Sequence, residues 1–428
     1  MILISKIKNI DNKISYLICC IIFKATLDYI YVYYISPNYE YYGSYLDINL
    51  MKFIESYIYL IITVVFLNLN SRKISKYYNI ILHSIMFIPM CSVYGLMNNS
   101  RIFMFTVFIC FILLFNITSL NIILPKLGKI KRKSVLFIFI PIVITIINFI
   151  WLYSKVGFSI KLNLNNIYDL RDNFGVILNN SASIFSYLFQ WQGNVINLFW
   201  FGISYRKKNY FGIIISLLLQ IWLFSANGSK TLFFSQVFCI LIVIAFIRKI
   251  SSYKIIISIE ILQIISIIAM FFDKINLLAI LSHRLLFIPA QLPFKFYEFF
   301  SEHGLLNFSH SIFKRFVEYP YALSPYKLIG LEYFNSASVN ANTNFLGDSY
   351  MNWGLIGMII FTIILAMIFI FIDNISKDKD KALCLFITLI PIYLLTNGAL
   401  LTIILTSGLG ISLILMLSLP DEYSIKNR

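Results

Sequence analysis

Residues 355–372 read LIGMIIFTIILAMIFIFI, an uncharged run bounded by Gly354 and Asp373. A helix rises about 1.5 Å per residue and the hydrocarbon core of a bilayer is about 30 Å thick, so this run predicts a helix that spans a membrane. Similar runs recur through the whole chain. Of its 428 residues, 59% are hydrophobic, 17% aromatic and only 13% charged, and the mean hydropathy is +0.82. Soluble domains carry about 25% charged residues, so the composition excludes a water-soluble globular protein. The expected fold class is an all-α polytopic integral membrane protein.

Counting apolar runs outward from this one predicts about twelve transmembrane helices. They fall near 15–35, 51–70, 78–97, 102–122, 134–154, 183–204, 210–226, 232–247, 255–272, 355–373, 382–397 and 399–418. With the N-terminus inside, the inner connections and the two ends hold 22 of the 35 Lys and Arg, and the outer face holds 11. This positive-inside asymmetry places both termini in the cytoplasm. The net charge of +16 is therefore a topology signal, and nucleic acid is not an expected partner. The first run has a basic flank but no small-residue cleavage site, so it reads as a retained span. All six cysteines, Cys19, Cys20, Cys91, Cys110, Cys239 and Cys384, fall within expected spans without CxxC or Cys/His ligand spacing. Neither a disulfide framework nor a structural zinc site is expected, and no cofactor.

Two outer connections are long. Residues 1–272 carry nine helices and a smaller polar loop at 155–182, residues 273–354 form one large outer loop, and 355–428 hold the last three helices and a tail. Long loops in compact proteins tend to be functional. Within the larger one, Arg284, Gln291, Lys295, Glu298 and Glu302 recur as one polar stripe among apolar residues. That spacing predicts amphipathic helix lying at a membrane interface, in two pieces because Pro289 and Pro293 interrupt it.

Scarce ionisable residues gather on the outer side. Three of the four histidines, His283, His303 and His310, lie in the large loop, and histidine is the usual general base near neutral pH. His83, in the third span, reads as a packed or helix-bridging residue, and Lys24 and Asp28, four apart on the first span, as an internal pair. Arg171, Lys230, Arg284 and Arg315 sit against the positive-inside trend, and an anionic ligand is a natural reason. Lys230 stands in Asn227-Gly-Ser-Lys-Thr231, which lacks the first glycine and preceding strand of a phosphate-binding loop, so nucleotide binding is excluded there. The stretch from Asn342 to Gly354 is dense in amides and hydroxyls, with Asp348 a further candidate base.

The stretches 168–174, 227–231, 284–311 and 344–357 together resemble the bacterial O-antigen polymerases of the Wzy type. Arg284-Leu-Leu-Phe-Ile-Pro-Ala, Tyr297-Glu-Phe-Phe and Phe308-Ser-His-Ser look like that family's large periplasmic loop. Gly347-Asp-Ser-Tyr-Met-Asn-Trp-Gly-Leu-Ile-Gly357 looks like its following span. The resemblance implies a GT-C-like glycosyltransferase of the bacterial inner membrane. It would join undecaprenyl-diphosphate-linked oligosaccharide units on the periplasmic face, without metal or nucleotide sugar, beside membrane lipids, a flippase and a chain-length regulator. On this reading Arg171, Lys230, Arg284 and Arg315 hold the diphosphate, His303, His310 or Asp348 activates the acceptor, and Asn344 and Tyr350 contact sugar. A lipid-linked oligosaccharide flippase and an O-antigen ligase are the alternatives. The flippase is disfavoured by the few charges inside the spans and the 82-residue outer loop.

Overall fold

The computed structural model describes residues 2–125, 133–158, 167–270, 272, 277–311 and 313–420, and among them no strand occurs. The helices are α1 (Ile2–Ile30), α2 (Leu50–Phe66), α3 (Ser75–Leu96), α4 (Arg101–Ser119), α5 (Lys133–Val156), α6 (Ile167–Asn179), α7 (183–206), α8 (Tyr210–Asn227), α9 (Lys230–Ile247) and α10 (Ser252–Met270). They continue with α11 (279–303), α12 (Pro325–Phe334), α13 (Phe345–Ser376), α14 (Lys381–Tyr393), α15 (Leu400–Leu405) and α16 (Leu409–Ser418).

Among the described residues, seven helices are long and apolar enough to cross a membrane: Asp11–Tyr39, Ser75–Leu96, Arg101–Ser119, Val135–Val156, Tyr210–Asn227, Ser252–Met270 and Phe345–Ser376. They answer seven of the twelve expected runs. The other five are not among them. Helix α2 has 17 residues and ends where Leu67 turns extended. Helix α7 continues through a wide π turn at Gln192–Ile196, but Gln190, Gln192, Asn194 and Asn197 make it less apolar. Leu232–Ile247 is the apolar part of α9 whose side chains are described, and Lys381–Asn397 is a shorter apolar helix with Pro391 inside it. The run at 399–418 is cut into α15 and α16 at Gly408, whose φ of 109° no helix contains.

The chain forms two compact units that interleave along the sequence. Unit 1 comprises Met1–Ile122, Ile250–Ile370 and Leu395–Leu400, and so takes in the long loop at 273–354; unit 2 comprises Ile123–Lys249, Phe371–Leu394 and Leu401–Arg428.

In unit 1, α1 packs along α10, α3 and α2, and α2 lies on α3. Three π turns in this unit share one cause. Tyr31–Ile35, His83–Phe87 and Ala279–Phe287 each end two residues before a proline, at Pro37, Pro89 and Pro289. A proline ring clashes with the carbonyl four residues back. The residue before each proline donates its N–H five residues back instead, Ser36 to Tyr31, Ile88 to His83 and Ile288 to His283, and the widened turn clears the ring. The helix therefore continues past the proline, and α11 runs from 279 to 303 with Pro293 inside its α-helical part. It is also not the interfacial helix expected from its stripe, because Gln291 and Lys295 are buried while Arg284, Glu298 and Glu302 remain exposed.

Helix α13 bends sharply at Trp353–Gly354, where Gly354 adopts φ 63°, ψ −155°. A side chain is strained there, and the bend folds the chain so tightly that a Cβ on Gly357 would sit 2.6 Å from the Ser349 carbonyl oxygen. The bend separates the polar segment 345–352 from the apolar run that opened the reading.

Unit 2 holds an apolar cluster that includes Trp151, Leu152, Phe174, Phe189, Trp222 and Leu223, and a set of buried amides. Gln192 donates to Asn197 Oδ1 (2.7 Å), Asn197 to Gln220 Oε1 (2.7 Å), and Gln220 to the Leu232 carbonyl (2.7 Å) and Ser235 Oγ (2.9 Å). Unpaired amides cost several kcal/mol in hydrocarbon, so this chain of bonds fixes how α7, α8 and α9 pack. Asp380 caps α14 through the Ala382 N–H and accepts from Arg206 at 2.6 Å.

Candidate functional site

The described segments between α10 and the bend of α13 belong to unit 1. A kinked helix leaves carbonyls without partners, and here the turn after α11 supplies the donors. Leu306 N–H donates to the Met351 carbonyl (2.8 Å), Asn307 N–H to the Asn352 carbonyl (3.2 Å), and Phe308 N–H to Asn352 Oδ1 (2.9 Å). Phe308 has φ +59°, a costly conformation for a bulky residue. It is held by those bonds and by packing of its ring on Trp353 (5.2 Å) and Phe361 (5.7 Å). The turn that carries His310 is thus a fixed structure.

His310 is half-buried, 6.2 Å from the Tyr319 ring, and its Nδ1 is enclosed without a partner. Burial lowers its pKa from 6.5, which keeps the ring neutral at pH 7. His303 is exposed at the end of α11, stacked on Phe299 at 4.3 Å, with Nδ1 2.9 Å from the Phe299 carbonyl oxygen. Tyr319 and Tyr321 stand between the two histidines: their rings are 5.7 Å apart, and the Tyr321 hydroxyl donates to the His303 carbonyl.

Asp348 is buried, 3% exposed, in the segment leading to the bend. Its side chain accepts from the Tyr326 hydroxyl (3.4 Å), and among the described residues no cation lies in ion-pair range of it. Asn344 is occupied in capping: its Oδ1 accepts from the Leu346 and Gly347 N–H groups, and its Nδ2 faces Met90 Sδ. Tyr350 is buried against Phe103 (5.8 Å) and Tyr297 (4.8 Å). Neither side chain presents an open face to a sugar.

The expected anion-binding cations divide between the units. Arg284, on the π turn of α11, and Arg315, after the His310 turn, are exposed in unit 1. Arg171 is exposed on α6 in unit 2; Lys230 begins α9 there, and its side chain lies outside the described residues. Tyr168 and Asp169 open α6, their side chains likewise outside them.

A second cluster in unit 1 escaped the sequence reading as a site. The loop after α1 is pinned by Asp47 N–H on the Leu96 carbonyl (2.9 Å), Asn49 N–H on the Gly95 carbonyl (3.1 Å) and the Tyr31 hydroxyl on the Tyr45 carbonyl (2.8 Å). It lays Tyr39, Gly43, Ser44 and Tyr45 across the inner face of α11. His283 stacks on Tyr39 at 4.1 Å, and its Nε2 lies 3.3 Å from Ser44 Oγ, which donates to Gln291 Oε1 (3.2 Å). Lys295 is 7% exposed, with its ammonium 4.6 Å from the Tyr333 ring centre and 5.8 Å from that of Tyr45. The polar stripe of α11 was the available signal. What it could not show is that the loop at 36–49, some 250 residues earlier, turns that stripe inward.

Comparison of the chain with protein-family models, with curated proteins and with solved structures returned no match.

Proposed function

We propose that the chain is a membrane glycosyltransferase of the O-antigen polymerase kind, multi-pass in the bacterial inner membrane with a twelve-span topology and both termini cytoplasmic. It would join undecaprenyl-diphosphate-linked oligosaccharide units on the outer face. The observation that carries the reading is a carboxylate buried without an opposite charge among the described residues (Asp348), on a segment that resembles that family and in the same unit as a half-buried neutral imidazole (His310) and an arginine (Arg284) on other such segments.

The chemistry asks for two things. The acceptor sugar hydroxyl forms a new bond to the donor's anomeric carbon while giving up its proton, and the anomeric C–O bond to the diphosphate breaks with its electron pair. Asp348 or His310 takes the proton. A cation absorbs the charge developing on the leaving diphosphate, the role assigned to Arg284. Helix α12 presents Tyr326 to Asp348, so a hydroxyl already occupies the acceptor-like position beside the carboxylate.

Deletion of the gene in its own host tests the class. Loss of a polymerase leaves lipopolysaccharide core bearing one repeat unit. A bare core would point to a ligase, and accumulation of inward-facing lipid-linked units to a flippase. Within the polymerase reading, Arg284→Ala and Arg171→Ala are scored separately by ladder length; full-length ladders from both would remove the diphosphate role of those arginines.

A further inference from the structure

Lys295 poses a physical problem that the reading above leaves open. It is 93% removed from solvent, yet among the described residues no carboxylate lies in ion-pair range and no hydrogen-bond acceptor is placed on its ammonium. Burying an ammonium without a counter-ion costs several kcal/mol, and the rings of Tyr45 and Tyr333 return only part of that. Glu298, one turn further on, is exposed and opposes the burial only through space. The Gln291 amide nitrogen, on the same face of α11 one turn before Lys295, is fully enclosed and also has no partner. Two donors without a hydrogen-bond partner, four residues apart on α11, thus lie against the segment at 36–49, Lys295 beside Gly43 and Gln291 beside Ser44.

That loop is shaped around the ammonium. Gly43 has φ +70°, and a Cβ there would lie 3.2 Å from Lys295 Nζ and 3.4 Å from its Cε. The next residue, Ser44, carries His283 on its hydroxyl. A cation, an amide, a hydroxyl and an imidazole thus converge on residues 43 and 44, inside walls of Tyr39, Tyr45 and Tyr333.

We propose that Lys295, with Gln291 and Ser44, forms a binding site for a phosphate-class oxyanion, and, resting on the glycosyltransferase reading, that its occupant is the diphosphate of the lipid-linked donor. A diphosphate accepts charge-assisted hydrogen bonds that both donors lack. Helix α12 joins this site to the other: Tyr333 lies at Lys295 and Tyr326 at Asp348, seven residues and so about 10 Å apart along one helix face. That is a plausible reach from a leaving group to the group that deprotonates an acceptor.

The test uses the full chain in phosphatidylcholine nanodiscs, with farnesyl diphosphate as probe and inorganic diphosphate and inorganic phosphate as competitors. Lys295→Met is expected to weaken farnesyl diphosphate at least tenfold, while Lys327→Met, an exposed lysine on α12, leaves it unchanged; inorganic diphosphate should compete better than phosphate. Equal affinity in the wild type and Lys295→Met overturns the site. Gly43→Ala keeps the charge but crowds the ammonium, and unchanged affinity in that folded variant overturns it equally. If phosphatidylglycerol in the disc stabilises the wild type over Lys295→Met while farnesyl diphosphate does not, the anion is a bulk lipid headgroup and the donor assignment falls. None of these readouts needs polymer. A deletion phenotype unlike a polymerase removes the enzymatic reading and leaves diphosphate binding standing, whereas a polymerase phenotype with unchanged binding in Lys295→Met removes only this site.

Discussion

Acid should loosen unit 1 through His283. The ring is 2% exposed, stacked on Tyr39 and bonded to Ser44, and burial pushes its pKa from 6.5 down to about 4. With the Ser44 proton given to Gln291, the Ser44 oxygen accepts from the His283 Nε2–H, an arrangement made by the neutral ring. As pH falls, the unfolded chain takes up a proton at this residue from about 6.5, while the folded chain resists until about 4. Stability therefore drops across that window as pH falls, and the contribution is intact above it. At pH 5 the difference amounts to about 2 kcal/mol, and at pH 7.5 to roughly a tenth of that or less. The cysteines provide the readout, because Cys20, Cys91 and Cys110 are buried in unit 1 and Cys19 is half-buried there. With Cys239 and Cys384 of unit 2 replaced by Ser, labelling by a thiol-reactive dye during a thermal ramp reports the melting of unit 1. Going from pH 7.5 to 5 should lower the melting temperature more in this background than in the same protein carrying His283→Gln, by an amount matching about 2 kcal/mol. An identical acid shift in both proteins would refute the argument that His283 is held neutral by its site.

Four further perturbations follow from single contacts. Asp348→Asn keeps an acceptor for the Tyr326 hydroxyl, so melting should be unchanged while chain growth, read as ladder length, falls at least ~100-fold if Asp348 is the base. Asn352→Leu removes the acceptor for Phe308 N–H and the donor to the Asp348 carbonyl; the strained 304–311 turn should open, at a cost of about 2–3 kcal/mol, seen as new protease cleavage there. Gly354→Ala forces a side chain into φ 63°, ψ −155° and should cost about 1–3 kcal/mol in melting experiments while abolishing activity by moving Asp348. In unit 2, Asp380→Ala removes both the cap of α14 and the partner of Arg206, and about 2–4 kcal/mol should be lost in a melt reported by Cys239 and Cys384.

The all-α membrane fold class was legible in residue type, and the contacts were not, for a reason that α11 illustrates. Hydropathy registers how apolar a run is, so it found the seven long helices. It cannot register how a run is divided, and the 399–418 run is cut at Gly408 by one glycine conformation. Proline by itself misled in the other direction. Pro289 predicts a break, but a widened turn ending at Phe287 lets the helix pass, and the same device recurs before Pro37 and Pro89. Because α11 then continues unbroken to His303, Gln291 and Lys295 stay on one face of one rod, and the loop at 36–49 can cover both at once. A polar stripe is the same string of residues whether it faces water or a partner 250 residues away. Asn344 and Tyr350 show the converse: polar residues beside a membrane span read as ligand contacts, while local geometry engages one as a helix cap and buries the other among aromatic rings. Sequence thus singled out the scarce ionisable groups. The distinction between residues that wait for a ligand and residues already satisfied within the fold came from their partners, and by that measure Lys295 and Asp348, each buried without an opposite charge among the described residues, outrank the exposed arginines that charge asymmetry alone brought forward.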